Sequence, residues 1–93
     1  MISSFGDKAT ALIFTGGFAR SLPPHIQPIA YRKLQMIDAA TCVADLSLPP
    51  GNRLESLHGE LGGQWSIRIN NQWRICFCFD DGEASNVCIV DYH

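Results

Sequence analysis

Hydrophobic positions recur at two different periods, and the change between them divides the chain. Asp7 followed by Lys8-Ala9-Thr10-Ala11-Leu12-Ile13-Phe14 predicts a short N-capped helix, with Gly16-Gly17 as its stop. Pro23 and Pro24 open a second segment. Over residues 25–46, Ile26, Ile29, Ala30, Leu34, Ile37 and Ala40 return at three- and four-residue spacing, which predicts a helix with one apolar stripe. Pro28 fits only its first turn, so the firm helix starts near there. Residues 47–52, Ser-Leu-Pro-Pro-Gly-Asn, break the pattern, and the remainder of the chain reads as sheet.

Strands are expected over residues 53–57, 64–69, 73–79 and 87–92, with a loop over 59–63. Trp65, Ile67 and Ile69 alternate with Ser66, Arg68 and Asn70, and Trp73, Ile75, Phe77 and Phe79 alternate with Arg74, Cys76 and Cys78. Apolar faces must meet across a sheet. That requires Asn70-Asn71-Gln72 as a three-residue connection, with Ile69 opposite Trp73 and Arg68 opposite Arg74. Asp81-Gly82 suits a two-residue turn with positive φ, which pairs Asp80 with Glu83. Counting outward sets Gln72 opposite Asp91. Asp91 and His93 then emerge on the Arg74 face and Tyr92 points toward the Trp73 side, with the helices covering the apolar face.

The 93 residues form one expected domain, 1–93, large enough for a modest core. No apolar run approaches membrane-spanning length, and Met1-Ile2-Ser3-Ser4-Phe5 lacks the features of a signal peptide, so a cytoplasmic location without membrane contact is expected. The formal charge of −2 argues against unaided, non-specific nucleic-acid binding. It can still hide a basic face, because Arg53, Arg68 and Arg74 lie apart from the acidic turn of Asp80, Asp81 and Glu83. Cys42, Cys76, Cys78 and Cys88 match neither a disulfide framework nor a zinc spacing, so they are expected as small apolar residues.

Candidate chemistry gathers at the end of the chain, where Asp91-Tyr92-His93 comes after the strand-like Val87-Cys88-Ile89-Val90. With Arg74, and with Glu55 and His58 from the neighbouring segment, these side chains can transfer a proton and stabilise a charged phosphoryl group. No nucleophile is obvious, and ribonuclease chemistry needs none. The RNA 2′-hydroxyl attacks the adjacent phosphate once a base takes its proton, an acid protonates the leaving 5′-oxygen and a cation steadies the phosphorane. Arg74 is the expected cation. The plain alternative is a cross-strand Arg74–Asp91 ion pair on a wet sheet face, with His93 a solvated terminus.

Arg53-Leu54-Glu55-Ser56-Leu57-His58-Gly59, Gly63-Gln64-Trp65-Ser66-Ile67-Arg68-Ile69-Asn70, Gln72-Trp73-Arg74-Ile75-Cys76-Phe77 and the closing Asp91-Tyr92-His93 resemble the HigB-type toxins of the RelE/ParE superfamily. The resemblance implies an α+β, RelE-like microbial RNase fold, with two or three N-terminal helices packed on one face of a small antiparallel sheet. It implies a metal-independent, cofactor-free mRNA endonuclease that works on the 70S ribosome. It also implies a helix-turn-helix (HigA-type) antitoxin, with operator DNA bound only through the antitoxin complex. Arg74, Asp91, Tyr92 and His93 match the C-terminal active-site pattern, and Glu55 and His58 fall in a second active-site segment. Arg53 and Arg68 beside them are the expected RNA contacts. The competing class is a non-catalytic binding module of the same fold.

Overall fold

A computed structural model describes residues 1–57 and 63–92; His58, most of the expected 59–63 loop and His93 lie outside the described residues. Helix α1 spans Lys8–Phe14, and the Asp7 carboxylate accepts from Thr10 N at its start. Gly16, at φ +89°, ends it as expected. A 3₁₀ turn, Pro24–Ile26, leads into α2, Gln27–Ala39, with Pro28 in the first turn where its missing N–H costs nothing. Buried Gln27 fastens the inter-helix loop, accepting from Ala19 N and donating to the carbonyls of Ala19 and Leu22.

The second helix stops seven residues before the expected Leu46, at Ala39. Asp45 is the reason: its carboxylate accepts from the backbone N–H groups of Thr41 and Cys42, pulling the chain out of the helix and starting a new 3₁₀ turn, Val43–Ser47. Those bonds also hold the exposed Asp45 carboxyl below its ordinary pKa, with the Thr41 N–H the largest cause. A further turn, Pro50–Asn52, delivers the chain to the sheet.

Strands β1 (Glu55–Leu57), β2 (Gln64–Arg68), β3 (Trp73–Asp80) and β4 (Glu83–Asp91) form an antiparallel meander in chain order. Arg68 faces Arg74 as the three-residue connection requires. Asn70 fixes that connection, its Oδ1 accepting from the N–H groups of Gln72 and Trp73. Asp81 and Gly82, both at positive φ, make the tight turn that pairs Asp80 with Glu83. β4 starts directly after this turn, four residues before the expected Val87.

Beyond that turn the count changes. A β-bulge between Cys76 and Cys78 sets one extra residue in β4, with Asn86 at φ +50°. Trp73, and not Gln72, is therefore opposite Asp91, and Arg74 is opposite Val90. Side chains past the bulge exchange faces relative to the simple count, so Tyr92 shares the Arg74 side and Asp91 the Trp73 side.

Ile13, Ile26, Ala30, Leu34 and Ile37 from the helical half pack with Ile67, Ile75, Phe77, Val87 and Ile89 of the sheet in one core. The N-terminal segment, unassigned from the sequence, runs parallel to β4 through bridges at Ile2–Ala84 and Phe5–Val87 and covers that sheet edge. Among the described residues no helix is long and apolar enough to cross a membrane.

Candidate active site

The sheet face away from the helices ends, beside the β2–β3 connection, in a cleft of about 470 Å³ lined by Arg53, Glu55, Arg68, Asn70, Asn71, Arg74 and Tyr92. Strand alternation places Arg68 and Arg74 there from adjacent strands, and the bulge adds Tyr92. The acidic turn at Asp80–Glu83 sits at the opposite end of β3, so the charge separation expected from the sequence is present.

Arg74 is the centre of this cleft, and it corrects an expectation. Its position on the polar strand face predicts an exposed side chain, yet only 7% of it is exposed. The guanidinium lies back over its own sheet. Nε donates to Ser66 Oγ at 2.9 Å, and Nη2 donates to the carbonyls of Arg53 at 2.6 Å and Ser66 at 3.2 Å. The Tyr92 ring stands over it, with Cζ 5.8 Å from the centroid. Glu55 approaches to 3.9 Å from Nη2 and is itself more than half exposed to the cleft.

The cross-strand Arg74–Asp91 ion pair of the plain alternative is not found among the described residues. Asp91 Oδ2 accepts from Gln72 Nε2 at 3.1 Å, on the Trp73 side of the strand. Tyr92, expected toward the apolar side, takes the place beside Arg74. Arg53 and Arg68 are at the cleft as expected, and Arg68 donates to Asn71 Oδ1, which holds its guanidinium at the rim. His58 and His93 lie outside the described residues, so the described site gathers Arg74, Glu55 and Tyr92 of the six catalytic candidates.

Several contributors went unnamed at the level of sequence. Ser66 is wholly buried beneath Arg74; its alternation with Trp65 and Ile67, two residues before Arg68, was the one signal. Asn70 and Asn71 line the rim. Lys33 of α2 donates to Asn52 beside Arg53, and burial, then the charges of Arg32 and Arg68, hold its ammonium below the ordinary lysine pKa. It marks a positive field extending from the cleft toward the helix.

Cys76 faces Cys88 across β3 and β4 on the same sheet side. Burial first, then Cys88, pushes the Cys76 thiol up to about 11, and burial raises Cys88 as well, with Asp7 and Cys78 adding to it. Protonated thiols are poor nucleophiles and poor metal ligands. Among the described residues no group of three His, Cys, Asp or Glu side chains is arranged to hold a metal ion.

A family model described as the RelE-like toxin of the type II toxin–antitoxin system HigB matches residues 3–93. The chain belongs to this family. It is similar to Toxin HigB-1 of Vibrio cholerae serotype O1, 48% identical over 67 residues, which is 72% of this chain and 70% of that protein. Its similarity to the Endoribonuclease HigB of Proteus vulgaris is 36% identity over 93 residues, the whole of both chains. In three dimensions it resembles the YoeB dimer of Staphylococcus aureus, with a TM-score of 0.61 at 20% identity over 99% of this chain and 94% of that one. The YoeB–YefM complex from the same organism gives 0.62 at 19% identity, covering 100% and 95%. At such identities these two structures establish a common fold.

As a HigB-family toxin, the protein acts in a type II system together with an antitoxin partner. The family match spans both halves of the candidate site, from the Glu55 segment to the C-terminal residues.

Proposed function

We propose that this toxin is an endoribonuclease that cuts mRNA on the ribosome by attack of the RNA 2′-hydroxyl on the adjacent phosphate. The observation that carries the reading is Arg74, a buried guanidinium opening on a cleft whose walls supply further cations and a carboxylate. The Proteus vulgaris relative, similar over its full length, bears the name endoribonuclease. In the proposed step Glu55 takes the 2′-hydroxyl proton as the 2′-oxygen bonds to phosphorus, and Arg74 stabilises the charge of the phosphorane. The P–O5′ bond then breaks, and the 5′-oxygen receives a proton from His93 or His58. A 2′,3′-cyclic phosphate and a 5′-hydroxyl end result. Tyr92 holds the guanidinium plane and offers its hydroxyl to the phosphate. Asp91, on the far side of the strand end, orients the C-terminal turn through Gln72. Arg53 and Arg68 bind the flanking phosphates.

The chemistry takes its cation from Arg74 and needs no metal. The 70S ribosome supplies what the open cleft lacks, since a shallow site alone does not align a 2′-hydroxyl with the leaving oxygen. The proposed antitoxin is a helix-turn-helix protein of HigA type, through which alone the pair reaches operator DNA. The YoeB–YefM complex supports a toxin of this fold being held in a protein complex. The proposed compartment is the cytoplasm, where translated message is found.

Brief induction and then mapping of mRNA 5′ ends tests the reading. Cuts confined to translated regions and absent from untranslated copies of the same message are expected. Equal cutting of both rejects ribosome dependence. Growth arrest with no cutting favours the binding module instead.

A further inference from the structure

We infer that Ser66 is a positioning residue for the reaction: with the backbone carbonyl of Arg53 it fixes the plane and direction of the Arg74 guanidinium. This rests on the proposed role of the cleft in RNA cleavage. Ser66 is a fully buried polar residue in a strand otherwise facing the core with Trp65 and Ile67, and its hydroxyl oxygen receives the Arg74 Nε–H at 2.9 Å. Its own carbonyl and that of Arg53 receive Nη2 at 3.2 and 2.6 Å. A guanidinium is a rigid plane, so fixing Nε and Nη2 fixes Nη1 as well. In the proposed arrangement the two N–H groups of Nη1 are directed at the incoming phosphate.

All three fixed partners are neutral oxygens. Among the described residues the carboxylate paired with Arg74, that of Glu55, stands at 3.9 Å, beyond hydrogen-bond distance. The anchor thus holds the cation without cancelling its charge, and that charge stays free to act on the phosphorane. Two separate pieces of the fold build the anchor. Ser66 comes from the β2–β3 pairing, two residues along from the Arg68–Arg74 pair and so on the same sheet face. The Arg53 carbonyl is presented by a left-handed residue at φ 45°, at the end of a turn held by buried Asn52, whose Nδ2 donates to the carbonyls of Leu46 and Leu48.

The test uses the full-length toxin with programmed ribosomes, comparing Ser66→Ala, Ser66→Thr and Arg74→Lys. Single-turnover cleavage is measured alongside the ¹⁵N NMR signal of the Arg74 Nε–H, identified by its loss in Arg74→Lys. Ser66→Ala is expected to lower the maximal cleavage rate on the order of 10- to 100-fold with KM within about twofold. Its Nε–H signal is expected to exchange with solvent faster. Ser66→Thr, which keeps the hydroxyl on a strand-compatible side chain, is expected to restore both readouts. Wild-type cleavage by Ser66→Ala beside an inactive Arg74→Lys overturns the positioning role alone. A rise in KM without a change in maximal rate also overturns it, because the effect would then lie in binding. Wild-type cleavage by Arg74→Lys overturns the catalytic reading and the proposal with it, whatever the NMR signal does.

Discussion

Burial makes Arg74 a structural residue as well as a chemical one. On an exposed strand position its removal is nearly neutral. Here Arg74→Ala strips three acceptors of their donor and opens space over Ser66, so a loss of about 1–3 kcal/mol is expected in urea denaturation. An unchanged midpoint contradicts the buried, anchored geometry. Glu55 is the opposite case, since among the described residues its exposed side chain makes only the long contact to Arg74. Glu55→Gln is therefore expected to leave stability within about 0.5 kcal/mol and to lower cleavage on the order of 10²- to 10⁴-fold. Retention of the wild-type rate would remove Glu55 as the base. The cysteines give a pH test. The Cys76 pKa in the folded protein is raised from an ordinary value of 9.0 to about 11, so its contribution is present below pH 9 and is lost as pH rises toward 11. Alkylation near neutral pH should modify exposed Cys42 first and Cys76 far more slowly. Equal labelling rates contradict the burial of Cys76.

At the scale of elements, alternation and turn chemistry were legible in the chain, and local irregularities were not. Trp65, Ile67 and Ile69 against Trp73, Ile75 and Phe77 fixed the β2–β3 register, because a one-residue slip would expose every apolar side chain. The bulge at Asn86 shows only when β3 and β4 are compared: a straight strand would put Asn86 opposite Phe77 and Ile89 opposite Arg74, and the extra residue returns Val87 and Ile89 to the apolar face. That one residue exchanged Asp91 with Tyr92 at Arg74. The burial of Arg74 was hidden for a different reason. It depends on the turn through Asn52 and Arg53, far away in sequence, folding over a strand face that looks polar when read alone. The length of α2 failed at Asp45, a capping residue inside an apparently continuous apolar stripe. The bulge can be tested directly. Asn86→Val forces a β-branched side chain into a left-handed conformation and is expected to cost about 1–2 kcal/mol. A neutral effect in urea denaturation means that β4 runs straight in solution.

Across the whole molecule, charge segregation takes the place of net charge. The chain is formally −2, yet Arg53, Arg68 and Arg74 share one cleft, with Lys33 beside Asn52 and electrostatically coupled to Arg68, while the Asp80–Glu83 turn lies at the far end of β3. Few phosphates can be neutralised by so small a face. Binding to free single-stranded RNA is therefore expected to be weak, with a log–log salt slope of about −2 to −3, as for three or four phosphate contacts. A much steeper slope requires a basic surface that this fold does not present among its described residues. The central claim is that Arg74, held in this cleft, performs RNA cleavage. Single-turnover cutting of mRNA on programmed ribosomes by the wild type and Arg74→Lys, at matched folded concentrations, tests it most directly. Lysine keeps the charge but cannot reproduce the fixed guanidinium fork, so wild-type cutting with loss of about 100-fold or more in Arg74→Lys is the expected result. Equal rates in the two proteins contradict it.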